Sequence, residues 1–178
     1  DEIEQLLAAG GFLDDRIADV RAVEGRDEFT GIVQLQAVRD FVARLLVAAG
    51  EKPAILSRGY RRRQPEDGVV IVSDGEHLLA DVDRSGDEPF LMARLVPGAA
   101  VLVHEQRAMA AALAERATGA TVHVLDDGFQ HTSLRRDLDI VIVNADDLAG
   151  RPLPIGRLRS PVSSLANADA VILEDATD

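Results

Sequence analysis

The clearest helical pattern lies between Val33 and Ala49. Leu35, Val38, Phe41, Val42, Leu45 and Leu46 recur there at three- and four-residue spacing, and Gly50 closes the stretch. Short apolar runs follow. Pro53 to Ser57, Val69 to Val72, Ala100 to Val103, Thr121 to Leu125, Leu138 to Val143 and Ala170 to Leu173 each predict a strand. Two helices are predicted between them. One runs from Glu88 to Leu95, with Pro89 in its first turn where a missing N–H does no harm; the other, Ala-rich, runs from Ala108 to Arg116 and ends near Gly119. Nearly continuous Val/Ile/Leu strands alternating with helices predict an α/β fold, a mostly parallel sheet covered on both faces. Glu2 to Ala9 reads as a short helix stopped by Gly10-Gly11. Phe12 to Glu28 is ambiguous, with a strand one option around Val20. Ala149 to Ser164, rich in Pro, Gly, Arg and Ser, reads as a linker.

Composition narrows the function. The 178 residues suit one domain or slightly more, and 47% hydrophobic content supports a full core. A net charge of −12 and 3% aromatics argue against general nucleic-acid binding and against a base-stacking surface. There is no cysteine, which removes disulfides, thiolate nucleophiles and Cys-ligated zinc and fits a cytoplasmic protein. No apolar run approaches the length needed to span a bilayer, and the acidic start Asp1-Glu2-Ile3-Glu4 is no signal peptide.

Against this acidic background, a few stretches carry chemistry. Leu125-Asp126-Asp127-Gly128-Phe129-Gln130-His131 puts two adjacent carboxylates at the end of a buried strand, which needs a cation, a polarised water or hydrogen-bond donors. A strand-end Asp of this kind holds Mg²⁺ or its water shell in phosphate-transfer proteins; the plainer reading is a polar loop. Ser57-Arg58-Gly59-Tyr60 and Asn144-Ala145-Asp146 also follow strand ends, where ligands of such sheets sit. Arg58, Arg61, Arg62 and Arg63 place four guanidinium groups within six residues, either an anion site or a solvated loop. Arg151, Arg157 and Arg159 lie in a Pro-rich stretch with the same two readings. Asp87 precedes a predicted helix, so it is either a cap or a general base. His77, His104 and His123 sit in loop or strand contexts, and no His spacing suggests a structural metal.

Five motifs then occur in an order that resembles the tetraacyldisaccharide 4′-kinase (lipid A 4′-kinase) family. They are Ile55-Leu56-Ser57-Arg58-Gly59-Tyr60, Gly86-Asp87-Glu88-Pro89, Asp126 to His131, Arg136-Asp137-Leu138-Asp139-Ile140 and Leu153-Pro154-Ile155-Gly156-Arg157-Leu158-Arg159. The likeness runs from about Val33 to Leu173. It implies a P-loop-NTPase-like three-layer sandwich over 33–178 behind an atypical segment 1–32. The implied reaction moves the γ-phosphate of ATP, with Mg²⁺, to the 4′-hydroxyl of a lipid A disaccharide precursor at the cytoplasmic face of the inner membrane. By the same resemblance Asp87 is the catalytic base and Asp127 assists it, while Asp126 and Asp127 serve Mg²⁺. Thr30, Gly31 and Arg107 meet the nucleotide, and Arg58, Gly59, Tyr60, Gln130, His131 and Arg159 meet the substrate.

The sequence departs from that family in four places. Phe29-Thr30-Gly31-Ile32-Val33-Gln34 stands where a Gly-rich phosphate loop is expected, with Ile32 for its Lys and Val33 for its hydroxyl. Asp27 and Glu28 would repel ATP there. Ser160 replaces a Glu. Residues 1–28 lack the family's apolar anchor, and its second lobe, with a helper His, has no counterpart before Asp178. We therefore expect weak or absent phosphate transfer. The alternatives are a non-catalytic relative binding an anionic lipid or nucleotide through its arginine loops, and a bare scaffold without ligand.

Overall fold

A computed structural model describes residues 30–60, 62–65, 67–131, 133–144, 148, 150, 155, 158 and 160–174, with the side chains of 30–36 and of Glu174 left out of account. The chain divides into two units, Asp1–Gln34 and Leu35–Asp178. The elements expected before Thr30, and most of the expected linker, lie outside the described residues.

In chain order the elements are α1 (Thr30–Ala48), β1 (Pro53–Ser57), β2 (Val70–Asp74), α2 (Val82–Ser85), α3 (Asp87–Leu95), β3 (Ala100–Val103), α4 (Arg107–Thr118), β4 (Val122–Leu125), β5 (Ile140–Asn144), a 3₁₀ turn (Val162–Asn167) and β6 (Ala170–Glu174). One sheet has the order β2-β3-β1-β4. β1 is its centre, parallel to β3 on one side and to β4 on the other. All five of its residues are buried, as an apolar run flanked by two neighbours requires.

Side chains alternate across this sheet and build two cores. Ile55, Val101 and Val103 face α1 and α3 through Ala43 and Met92. Ala54, Leu56, Ala100 and Leu102 face the small residues Ala110, Ala111 and Ala114 of α4. The Ala-rich stripe lets α4 lie close to the sheet, and Gly119, left-handed at φ 68°, ends the helix.

Several expectations need correction. β2 is antiparallel to β3, with an irregularity between Ile71 and Ser73, so this edge departs from the parallel pattern. β5 and β6 pair in parallel as a separate two-stranded sheet. Phe41, expected on the buried stripe of α1, is exposed, whereas Ala43 and Asp40 are buried. The helix therefore faces the sheet through its smaller residues. Asp87 is not the cap of α3: Gly86 holds that place at φ 89°, and Asp87 begins the helix proper. Gly86 is itself enclosed, since a Cβ would lie 3.3 Å from the carbonyl oxygen of Tyr60. The short helix α2, capped by Asp81 through its bond from the Arg84 N–H, had no clear sequence signal.

Ile55 is fully buried on the central strand. Ile55→Ala should lower unfolding stability by about 2–5 kcal/mol in a urea titration, the usual range for a core cavity of that size. A loss well under about 1 kcal/mol would mean this sheet is not the cooperative core.

Candidate active site

The carboxyl ends of β1, β3 and β4 form one rim. Main-chain bonds knit it beyond the strands. The Asp126 N–H donates to Leu56 (3.1 Å), and the His104 N–H donates to Ser57 (3.0 Å). Asp126 is thus fixed directly beside the Ser57-Arg58-Gly59 turn.

Both carboxylate oxygens of Asp126 have partners. Oδ1 accepts from Arg39 Nη1 at 2.7 Å, and Oδ2 accepts from the Ser57 hydroxyl at 3.1 Å. Its main-chain carbonyl accepts from Arg107 Nη2 at 3.0 Å. Asp127 is exposed and takes φ 51°, the left-handed region that Asp tolerates better than most residues. The glycine that follows is a packing requirement: a Cβ at Gly128 would stand 2.6 Å from the Cβ of Leu125. The sequence Asp-Asp-Gly is therefore a sharp exit from β4 that turns the second carboxylate outward.

Arg107 opens α4 and is 1% exposed. Its Nε and Nη1 find no acceptor among the described residues. Burial and the neighbouring Arg58 lower its proton affinity, Asp126 and Asp127 oppose them, and the guanidinium remains a cation. Arg62 likewise has a buried Nη1 with no acceptor. Arg58, Tyr60, Arg62, Glu105 and His131 line a cleft of about 490 Å³. Gly59 at its floor is left-handed (φ 68°), and a Cβ there would collide with Val103 Cγ1 at 2.2 Å. Only glycine lets the arginine turn lie this close to β3.

The remaining expected residues distribute unevenly. Asp87 is exposed at the start of α3, next to Glu88, which lies 3.5 Å from Arg39 Nη1. Glu88, the neighbour of Asp87, is thus linked to the Asp126 carboxylate through Arg39. Gln130 reaches the Ser160 hydroxyl only loosely, at 3.5 Å. The His131 ring lies 3.0 Å from the Ser133 hydroxyl. The His131 carbonyl accepts from Arg136, whose fork grips Asp139 at 2.5 and 3.0 Å. Thr30 and Gly31 begin a helix rather than an open loop. Arg61, Arg157 and Arg159 lie outside the described residues. Sequence reasoning missed Arg39 and the hydroxyl of Ser57. The available signal was the charged pair Arg39-Asp40, one helical turn before the buried Ala43.

No group of three His, Cys, Asp or Glu side chains among the described residues could hold a metal by itself. Asp126 and Asp127 offer hard carboxylate oxygens with lone pairs to spare, which suits a cation that also takes water and phosphate oxygens. No helix among the described residues is long and apolar enough to cross a membrane.

Comparison with known proteins places this rim in context. Residues 37–178 match the family model for tetraacyldisaccharide-1-P 4′-kinase. The chain is 44% identical over 144 residues to the tetraacyldisaccharide 4′-kinase of Chlorobium luteolum, covering 78% of this chain and 40% of that protein. It is 42% identical over 123 residues to that of Aquifex aeolicus, covering 69% and 38%. It is 46% identical over 134 residues to that of Anaeromyxobacter sp. strain Fw109-5, covering 74% and 36%. The fold is similar to the crystal structure of the "apo" form of LpxK from Aquifex aeolicus in complex with ATP. That match has a TM-score of 0.70 at 40% identity and covers 76% of this chain and 42% of that one. The chain thus spans about two fifths of the length of the relatives it matches. Thr30 and Gly31 lie before the matched residues.

Burial first, then Arg107, Arg58 and Arg136, hold the His131 ring below its usual pKa of 6.5. Above pH 6.5 it is neutral in folded and unfolded chains alike. As the pH falls below 6.5 the unfolded chain takes up the proton first, so His131 detracts from stability there. In an NMR titration the ring should protonate below pH 6.5, and Arg58→Ala should raise the midpoint. A wild-type midpoint above 6.5 would contradict this arrangement of cations.

Proposed function

The chain belongs to the tetraacyldisaccharide 4′-kinase family, and from that membership we propose that its rim serves transfer of the ATP γ-phosphate to the 4′-hydroxyl of a lipid A disaccharide precursor. The observation that carries this reading is Arg107. A buried guanidinium with two nitrogens lacking acceptors among the described residues is costly unless an anion completes it. Guanidinium forks match phosphate oxygens, and Arg58, whose charge acts on Arg107, lines a cleft together with Arg62. The non-catalytic alternative has no separate observation in its favour.

The roles are those the family resemblance implies. Asp87, exposed at the start of α3, accepts the proton of the attacking 4′-hydroxyl. Asp126 and Asp127 hold Mg²⁺, which neutralises charge on the nucleotide phosphates when bound. Arg107 binds phosphate oxygens through the N–H groups left open, while its third nitrogen stays on the Asp126 carbonyl. That bond ties the anion site to the metal carboxylate. Arg58, Gly59, Tyr60 and His131, which line the cleft, orient the acceptor, and by the family resemblance Gln130 and Arg159 share that role. His131, kept neutral, can accept a hydrogen bond from a sugar hydroxyl without adding charge. The setting is the cytoplasmic face of the inner membrane, where such an acceptor is anchored by its acyl chains.

Transfer is weak in this chain, because Ile32 and Val33 stand where a phosphate-loop Lys and hydroxyl are expected. Incubation with labelled ATP at millimolar concentration, Mg²⁺ and the tetraacyldisaccharide 1-phosphate should give slow label transfer to the lipid. Asp87→Asn should reduce it by about 10²–10⁴-fold, the range for loss of a general base. No labelled lipid after prolonged incubation would sink the kinase reading. Isothermal titration adds a separate check: micromolar binding of Mg-ATP would overturn the expectation of weak transfer.

A further inference from the structure

Arg39 enters the rim from α1, and neither the arginine turn nor the matched motifs announce it. Its side chain is 9% exposed and stands among three carboxylates. Asp40, its neighbour on the helix, accepts from Nη2 at 2.8 Å and from Nε at 3.0 Å. Asp126 accepts from Nη1 at 2.7 Å, and Glu88 lies 3.5 Å from the same nitrogen. Burial alone would weaken its hold on its proton, but Asp126 and Asp40 outweigh burial, so the cation is permanent.

A cation in this place does for Asp126 what a metal ion would do: it neutralises the carboxylate and fixes its direction. It also covers Oδ1, while Ser57 holds Oδ2. A divalent ion that takes Oδ1 must move the guanidinium aside, and the two bonds to Asp40 keep that guanidinium in place from its own helix. We propose that Arg39 is a tethered cation that competes with a divalent metal for the Asp126 carboxylate and so weakens metal loading at this rim. The proposal rests on the reading of Asp126 as a metal carboxylate. Competition is reciprocal: whatever Arg39 subtracts from metal affinity, bound metal subtracts from the Arg39–Asp126 pair.

The test uses the whole chain and Mn²⁺ alone, with free Mn²⁺ read by electron paramagnetic resonance. Arg39→Gln should tighten binding at least about fivefold, the lower end of typical site-to-site coupling. Asp126→Asn should abolish the gain in the Arg39→Gln background. If Arg39→Gln binds no more tightly than wild type while Asp126→Asn alone weakens binding, the competition is refuted and the metal carboxylate stands. If Asp126→Asn changes nothing in either background, the metal reading itself fails, and the competition with it. Should Arg39→Gln not fold, the wild-type chain decides. The Arg39 Nη1–H signal, which is bonded to Asp126, should be protected from solvent exchange without metal and lose that protection as Mg²⁺ is added. Protection that persists while Mg²⁺ demonstrably binds would overturn the proposal.

Discussion

The carboxylate of Asp126 is where four elements meet. β4 delivers it, β1 holds it through the Ser57 hydroxyl, α1 neutralises it through Arg39, and α4 pins its main chain through Arg107. The parallel pairing of β4 with β1 makes this possible, because Leu56 and Leu125 lie in register and both strands end at the same level. Everything else at the rim is placed relative to that point. A half-buried carboxylate held among these groups depends on its cation and its donors staying in position, so the packing of α1 and α4 and the electrostatics of the rim are one problem.

Charge is distributed unevenly around this point. The chain as a whole is strongly acidic, yet Arg58 and Arg62 line one cleft, and the charge of Arg58 acts on the buried Arg107. Arg136 is occupied by Asp139, and Arg39 by Asp40 and Asp126. Arg62 and Arg107, by contrast, keep buried N–H groups without acceptors among the described residues. Cations already paired serve structure, whereas on the proposed reading the open donors receive an anion. This difference, more than the number of arginines, carries the proposed assignment of the binding residues.

The smaller sheet follows a different logic. β5 and β6 pair over five residues, from Ile140 with Ala170 to Asn144 with Glu174. Asp169 accepts from the Asp139 N–H, and Asp139 in turn receives the Arg136 fork. The Arg136 to Ile140 motif is thus a brace joining the loop after β4 to the second sheet. Its charged residues hold geometry and do not reach the cleft.

The sequence alone determined the strands, the two longer helices and the two-faced sheet, because apolar periodicity reports burial directly and the runs around Ile55 and Val101 have no other stable home. It also exposed Asp126, Asp127 and Arg58, since carboxylates at strand ends and clustered guanidiniums conflict with local solvation unless they have a purpose, whereas Arg107 came only from the family resemblance. It could not reveal that Gly86 rather than Asp87 caps α3, because capping depends on backbone angles that a choice between two small or polar residues leaves open. Nor could it reveal the antiparallel edge strand β2, whose apolar run reads alike in either direction. Above all it gave no sign that Arg39 would reach Asp126, 87 positions away. That contact exists only because α1 packs on the sheet with Asp40 and Ala43 turned inward, and such a long-range ion pair is written in tertiary packing and not in any local pattern.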